Sequence, residues 1–141
     1  MNRKASAHWQ GSLKDGKGTI STQSQVLNAT QYSFKTRFEE GKGTNPEELI
    51  GAAHAGCFSM ALAAQLGEAG LTPESINTTA TVTLEKVEQG FAITKIHLDV
   101  SAKIPGAAEG AFHKAALNAK ENCPVSRLFK AQITMDAKLQ T

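Results

Sequence analysis

The chain of 141 residues is about one domain's worth. It is long enough to bury roughly two-thirds of its unfolded surface without help from a metal or disulfide. With 40% hydrophobic, 6% aromatic and 20% charged residues, it is not a disordered chain, a collagen-like fibre or a disulfide-dense secreted module. Its 15 Lys+Arg and 13 Asp+Glu leave a net charge of +2, too balanced for a nucleic-acid binder.

The N-terminal stretch through Gly18 carries basic residues with no apolar run behind them, so no signal peptide is expected. Ala5 to Trp9 reads as a short strand. Asp15-Gly16 marks a hairpin turn, and Thr19 to Thr22 is the returning strand. From Tyr32 to Phe38, Tyr32, Phe34, Thr36 and Phe38 alternate with Ser33, Lys35 and Arg37. That period of two predicts a strand with an aromatic core face and Arg37 turned away from it.

Thr44-Asn45-Pro46-Glu47-Glu48 is the best helix start in the sequence. It offers a capping side chain, a proline suited to the first turn, and two acids where the helix dipole favours negative charge. The helix has plausible stops at Gly67 and Gly70. No lysine or arginine occurs from Gly43 to Glu85, and the helix is dominated by alanine. It is therefore expected to be buried on most sides. Its apolar part, Leu49 to Leu66, is interrupted by Gly51, His54, Gly56, Ser59 and Gln65. A membrane span needs about 20 strongly apolar residues. The stretch reads as the buried helix of a cytoplasmic protein that engages no membrane.

Thr78 to Val87 and the run holding Ile96, Leu98, Val100, Ala102 and Ile104 predict an antiparallel hairpin around Glu88-Gln89-Gly90. Pro105-Gly106 ends it. Ala107 to Glu121 predicts a helix with Ala108, Ala111, Ala115 and Ala119 on one face. Asn122-Cys123-Pro124 opens a short helical turn, and Ile133, Met135, Ala137 and Leu139 share one face of a last strand. The order is α+β in a single domain spanning 1–141, with no linker or repeat.

Two cysteines are too few for a disulfide scaffold but enough for one redox pair. Cys123 precedes Pro124 at a helix start, where unpaired N–H groups lower a thiol pKa; the alternative is a small buried hydrophobe. Cys57 lies inside the long helix with no terminal dipole and no cation on its own helix, so it is inert unless a cation such as Arg37 reaches it. At about 1.5 Å per residue, Glu47 lies roughly 15 Å from Cys57 along the axis. Direct contact therefore needs an intermediary or a second copy of the chain. Of the four histidines, His54 shares a helix face with Cys57. It is a structural residue, half of a Cys–His pair, or part of a metal site. There is no CxxC and no second ligand pair for a metal, and no GxGxxG or P-loop for a phosphate.

Two separated motifs carry a resemblance. Thr44 to Leu62, TNPEELIGAAHAGCFSMAL, resembles the nucleophile helix of the OsmC/Ohr family, the osmotically inducible protein C and organic hydroperoxide resistance proteins. Asn122-Cys123-Pro124-Val125-Ser126 with Lys130 resembles its second cysteine motif. Trp9-Gln10-Gly11 and Tyr32 to Phe38 look more like the OsmC branch. The resemblance covers essentially the whole chain.

It implies antiparallel sheets wrapped around long central helices in an intertwined homodimer. It also implies a thiol-dependent peroxidase that favours organic hydroperoxides over hydrogen peroxide. In that scheme Cys57 is the peroxidatic cysteine and Cys123 resolves its sulfenic acid as an intrachain disulfide. Arg37 and Glu47 form the pair that serves the thiolate, with Glu48 the alternative to Glu47. A lipoyl-type or thioredoxin-type dithiol reduces the disulfide, and no metal or other cofactor takes part. Readings from other classes are a redox sensor using the same switch without turnover, and a Cys57–His54 hydrolase.

Overall fold

A computed structural model describes all 141 residues, which divide into two compact units, Met1–Leu49 and Ile50–Thr141. In the first unit β1 (Ala5–Gln10), β2 (Lys17–Thr22) and β3 (Thr30–Tyr32) form an antiparallel sheet in that order. The Asp15-Gly16 turn sits where the sequence predicts. A Cβ on Gly16 would strike the Ser12 and Gln10 carbonyls, so only glycine fits there. Trp9 and Tyr32 pack across the sheet with ring centroids 5.4 Å apart, over Gly18.

The predicted strand over Tyr32 to Phe38 is not formed. The chain leaves β3 at Tyr32 and turns into a short helix, α1 (Phe34–Phe38). Ser33 caps it: its Oγ accepts the Thr36 N–H at 3.3 Å, and its own N–H donates to Thr36 Oγ1 at 2.8 Å. This reciprocal box satisfies two otherwise orphaned donors. Phe34 and Phe38 are four apart, which is also a helical spacing, and their centroids lie 4.8 Å apart. The alternation was real but fitted both periods, and the cap decided between them.

The long helix α2 (Pro46–Glu68, 23 residues) begins as its sequence predicts. Asn45 Oδ1 accepts the Glu48 N–H at 2.8 Å, and Asn45 Nδ2 donates to the Thr36 carbonyl at 3.2 Å. Just past its end, Gly70, with φ of 74°, lets the Leu71 N–H reach back to the Leu66 carbonyl at 2.9 Å.

In the second unit β4 (Ser75–Val87) pairs antiparallel with β5 (Gly90–Lys103). Helices α3 (Glu109–Asn122) and α4 (Pro124–Leu128) follow, and then β6 (Gln132–Gln140). β6 pairs with β5 in parallel, so this sheet is mixed where antiparallel pairing was expected. The α3–α4 crossover returns the chain to the sheet in the same direction as β5, which a hairpin cannot do.

The core joins Phe58, Leu62 and Leu66 of α2 to the predicted β5 face Ile96, Leu98, Val100, Ala102 and continues to Ile104. Each such large side chain contributes about 1.5–3 kcal/mol when fully buried. α3 completes the core with Phe112, Ala115, Ala116 and Ala119. Ala108 and Ala111 are exposed, so the buried face is rotated toward Phe112, the largest apolar side chain available to it.

α2 is long and apolar enough to cross a membrane by length and composition alone. Here Gly51, His54, Phe58, Leu62 and Leu66 form a stripe buried against protein. At Gly51 an added Cβ would lie 3.3 Å from the Ala80 carbonyl, so the helix rides close to β4. The opposite face, with Ala52, Ala53, Gly56, Met60 and Ala64, is exposed, and Met60 is 78% exposed. The expected burial on most sides is therefore not met within one chain, which covers a single stripe of the helix.

Candidate active site

Cys123 belongs to two helices at once. Its extended backbone (φ −61°, ψ 141°) ends α3, with its N–H donating to the Ala119 carbonyl at 3.0 Å. The same residue opens α4: Pro124 starts the helix, and Cys123 Sγ accepts the Ser126 N–H at 3.3 Å. Proline at the first helical position has no N–H to lose and cannot continue α3. The residue is 2% exposed, so the two readings of its position, helix start and buried hydrophobe, hold together.

Cys57 comes from the middle of α2, half-buried, and both thiols are free. Burial pushes the Cys57 thiol up from its ordinary pKa. A hydrogen bond from the Val125 main chain works against this, while the hydrogen bond and charge of the neighbouring Cys123 thiol raise it further. The two sulfurs that lie far apart in sequence are thus neighbours in space. The sequence assigns Cys57 no activating group on its own helix, and the thiol's surroundings here accord with that.

His54, one turn before Cys57, is fully buried. Its Nε2 lies 2.7 Å from Ser126 Oγ, and Cys123 Sγ donates to that same hydroxyl at 3.0 Å. The His54 ring stands edge-on to Phe129, with centroids 5.5 Å apart. Its Nδ1 is buried without a hydrogen-bond partner, a cost of about 1–3 kcal/mol. Burial holds the imidazole pKa below its usual value.

The Cys57–His54 hydrolase arrangement is therefore not formed, because the imidazole bonds Ser126. Nor is the Ser126–His54 pair a hydrolytic one: no carboxylate orients Nδ1, and Ser126 is 5% exposed. Sequence reasoning missed Ser126 and the Val125 main chain as members of the site. The signal available was the position of Ser126, three residues after the Cys123 cap.

In the first unit, Arg37 projects from α1 and grips Glu47. Nη2 donates to Oε1 at 2.8 Å, and Nε donates to Oε1 at 3.1 Å and Oε2 at 3.2 Å. Glu48, the alternative partner, accepts from Thr44 Oγ1 at 2.7 Å instead. Arg37 also stacks near Phe38, with Cζ 5.4 Å from the ring centroid. An aromatic cleft of about 280 Å³ opens beside it, lined by Trp9, Tyr32, Phe34 and Phe38. His97, Asp99 and Asp136 on β5 and β6 bring three ligand atoms within reach of one metal ion. His97 already pairs with both acids, its Nε2 lying 3.4 Å from Asp99 and 3.1 Å from Asp136.

Fold and site together define a class: α+β proteins that carry a pair of free thiols between a long helix and the start of a short one. The chain belongs to the OsmC-like protein family, whose model matches residues 39–138. It is similar to Peroxiredoxin OsmC of Escherichia coli strain K12, at 57% identity over 141 residues, covering 100% of this chain and 99% of that protein. Among solved structures, an OsmC-like protein of unknown function from Vibrio cholerae superposes with a TM-score of 0.77 at 16% identity, over 97% of this chain and 99% of that one. The organic hydroperoxide resistance protein OhrB of Bacillus subtilis does so at 0.68 and 22% identity, over 97% and 98%. At those identities the structures speak for the fold alone.

The neighbours of Cys57 carry a prediction. Cys123 raises the Cys57 pKa by hydrogen bond and charge, so Cys123→Ala removes both effects. The alkylation profile of the remaining thiol should move to lower pH. A profile that stays put or moves up would contradict the arrangement.

Proposed function

We propose that Cys57 is the peroxidatic nucleophile and Cys123 its resolving partner in a thiol-dependent peroxidase. The observation that carries this reading is the juxtaposition of two free thiols with unequal access in a chain of this family. Cys57 is half-buried and can meet a peroxide, whereas Cys123 is buried and can meet only Cys57. The Cys57 thiolate attacks a peroxide oxygen, the O–O bond breaks, and the departing alkoxide leaves as an alcohol. Cys57 is left as a sulfenic acid. Cys123 sulfur attacks it, forming an intrachain disulfide and releasing water, which protects Cys57 from further oxidation. An outside dithiol, lipoyl-type or thioredoxin-type, then restores both thiols by exchange.

Attack requires a thiolate, and burial with Cys123 pushes Cys57 the other way. The role of Arg37 is to supply the missing positive charge, with Glu47 fixing the planar guanidinium in a two-point grip. The aromatic cleft beside Arg37 suits an organic tail better than it suits hydrogen peroxide. The working form is a homodimer, and the exposed apolar face of α2 around Gly56 and Met60 is the surface a second copy would cover. Single-domain organisation over 1–141 and a cytoplasmic location, where both thiols are kept reduced between turnovers, complete the reading.

Three experiments test it. Cys57→Ser should lower consumption of cumene hydroperoxide in the presence of a dithiol to the uncatalysed background; retained turnover would contradict the assignment. Arg37→Ala should move the Cys57 alkylation profile to higher pH, because a removed cation no longer favours the thiolate; an unmoved profile would exclude that role. Met60→Lys should convert a dimer to a monomer in light scattering coupled to gel filtration, with far-UV dichroism unchanged. A wild-type monomer would contradict the dimer.

A further inference from the structure

His54 is a buried titratable residue that the peroxidase cycle leaves without a task. It stands on α2 one turn before Cys57, and its Nε2 is 2.7 Å from Ser126 Oγ. The same hydroxyl accepts the Cys123 thiol proton at 3.0 Å. With that bond formed, the Ser126 proton has His54 Nε2 as its acceptor. The imidazole's own proton then lies on Nδ1, the atom without a partner. The result is a directed chain, Cys123 to Ser126 to His54, with an accepting nitrogen at its end. The titratable groups that face it are the thiols of Cys57 on α2 and Cys123 at the α3–α4 turn. Phe129, packed on the ring from beyond α4, is apolar. No charged side chain acts on the imidazole, and burial alone keeps it neutral and able to accept. Such a chain serves no structural need that a pair of apolar side chains would not meet at lower cost.

We infer that Ser126 and His54 form the proton relay of the resolving step, an inference that rests on the assignment of Cys57 and Cys123 given above. As Cys123 sulfur attacks the Cys57 sulfenic acid, the S–S bond forms and the S–O bond breaks. The Cys123 proton passes to Ser126, whose own proton passes to His54. The hydroxide takes a proton from solvent and leaves as water. The Cys123 sulfur is oxidised and the Cys57 sulfur is reduced. When an outside dithiol attacks the disulfide at Cys57, Cys123 departs as a thiolate, and a proton returns to it through His54 and Ser126. Ser126 touches a reacting atom. His54 acts through it and is a positioning and proton-holding residue.

The test separates the two chemical steps in the full chain by rapid quench after mixing with cumene hydroperoxide. Sulfenic acid is read by trapping with a dione, and disulfide by intact mass, across the titration range of histidine and thiols. Ser126→Ala and His54→Asn should each slow disulfide formation by about 100-fold while leaving sulfenic acid formation within about twofold, the size expected for loss of a general base. In both variants the rate should rise continuously with hydroxide concentration, without the histidine limb of the wild type. Ser126→Thr, which keeps the hydroxyl, should restore most of the rate. Disulfide formation in Ser126→Ala and His54→Asn at the wild-type rate and pH dependence would overturn the relay. So would equal slowing of both steps, which marks a purely structural role. A wild type that consumes peroxide but forms no Cys57–Cys123 disulfide would instead overturn the assignment of the thiols, and the relay with it.

Discussion

Cys123 closes α3 with its backbone and opens α4 with its side chain, and the rest of the site is arranged around that double duty. Pro124 cannot continue α3, so the chain must turn there. The turn needs an N-cap acceptor, and the thiol supplies it to the Ser126 N–H. The sulfur is thereby fixed against Cys57 of α2 and Ser126 of α4, within the same core that buries Phe58, Phe112 and Ala119. A thiol held in this way is kept from solvent and against Cys57.

Packing two thiols together, one buried and one half-buried, has an electrostatic consequence. Each pKa unit corresponds to about 1.36 kcal/mol between thiol and thiolate, and for Cys57 burial and Cys123 both act in the unfavourable direction. The main-chain bond from Val125 opposes them without cancelling them. A cation would offset them, which is the role proposed above for Arg37. Its pairing with Glu47 is a poor candidate for a stability device, because Arg37 is 39% exposed and exposed pairs contribute ~1 kcal/mol or less. The bidentate geometry fixes the direction of the guanidinium. The unpaired His54 Nδ1 is a cost the fold bears beside the two thiols and nowhere else among its buried side chains.

Much of the fold was legible because its patterns had one interpretation. The five alternating residues Ile96 to Ile104 admit only a strand period, and all five are buried. Asn45-Pro46-Glu47-Glu48 states a helix start chemically, and Gly70 states its end. Phe34 to Phe38 is ambiguous in sequence because a spacing of four satisfies both periods, and the deciding Ser33–Thr36 cap is a local hydrogen-bond pattern with no hydrophobic signature. The parallel pairing of β6 followed from the α3–α4 crossover, a topological property that periodicity does not carry. The two cysteines and the Arg37–Glu47 ion pair are residue types in sequence motifs; the structure shows the thiols as neighbours and the ion pair within the first unit. The His54–Ser126 contact joins positions 72 apart and depends on tertiary packing alone, so no local rule reaches it.

The central claim is that one peroxide equivalent ends as a bond between Cys57 and Cys123. The direct measurement is the mass and peptide map of the reduced full chain after one equivalent of cumene hydroperoxide, without added reductant. The expected product has lost two hydrogens, mapped to a single Cys57–Cys123 peptide pair. A chain recovered unmodified, or one carrying sulfinic acid on Cys57 with Cys123 still a free thiol, would contradict it.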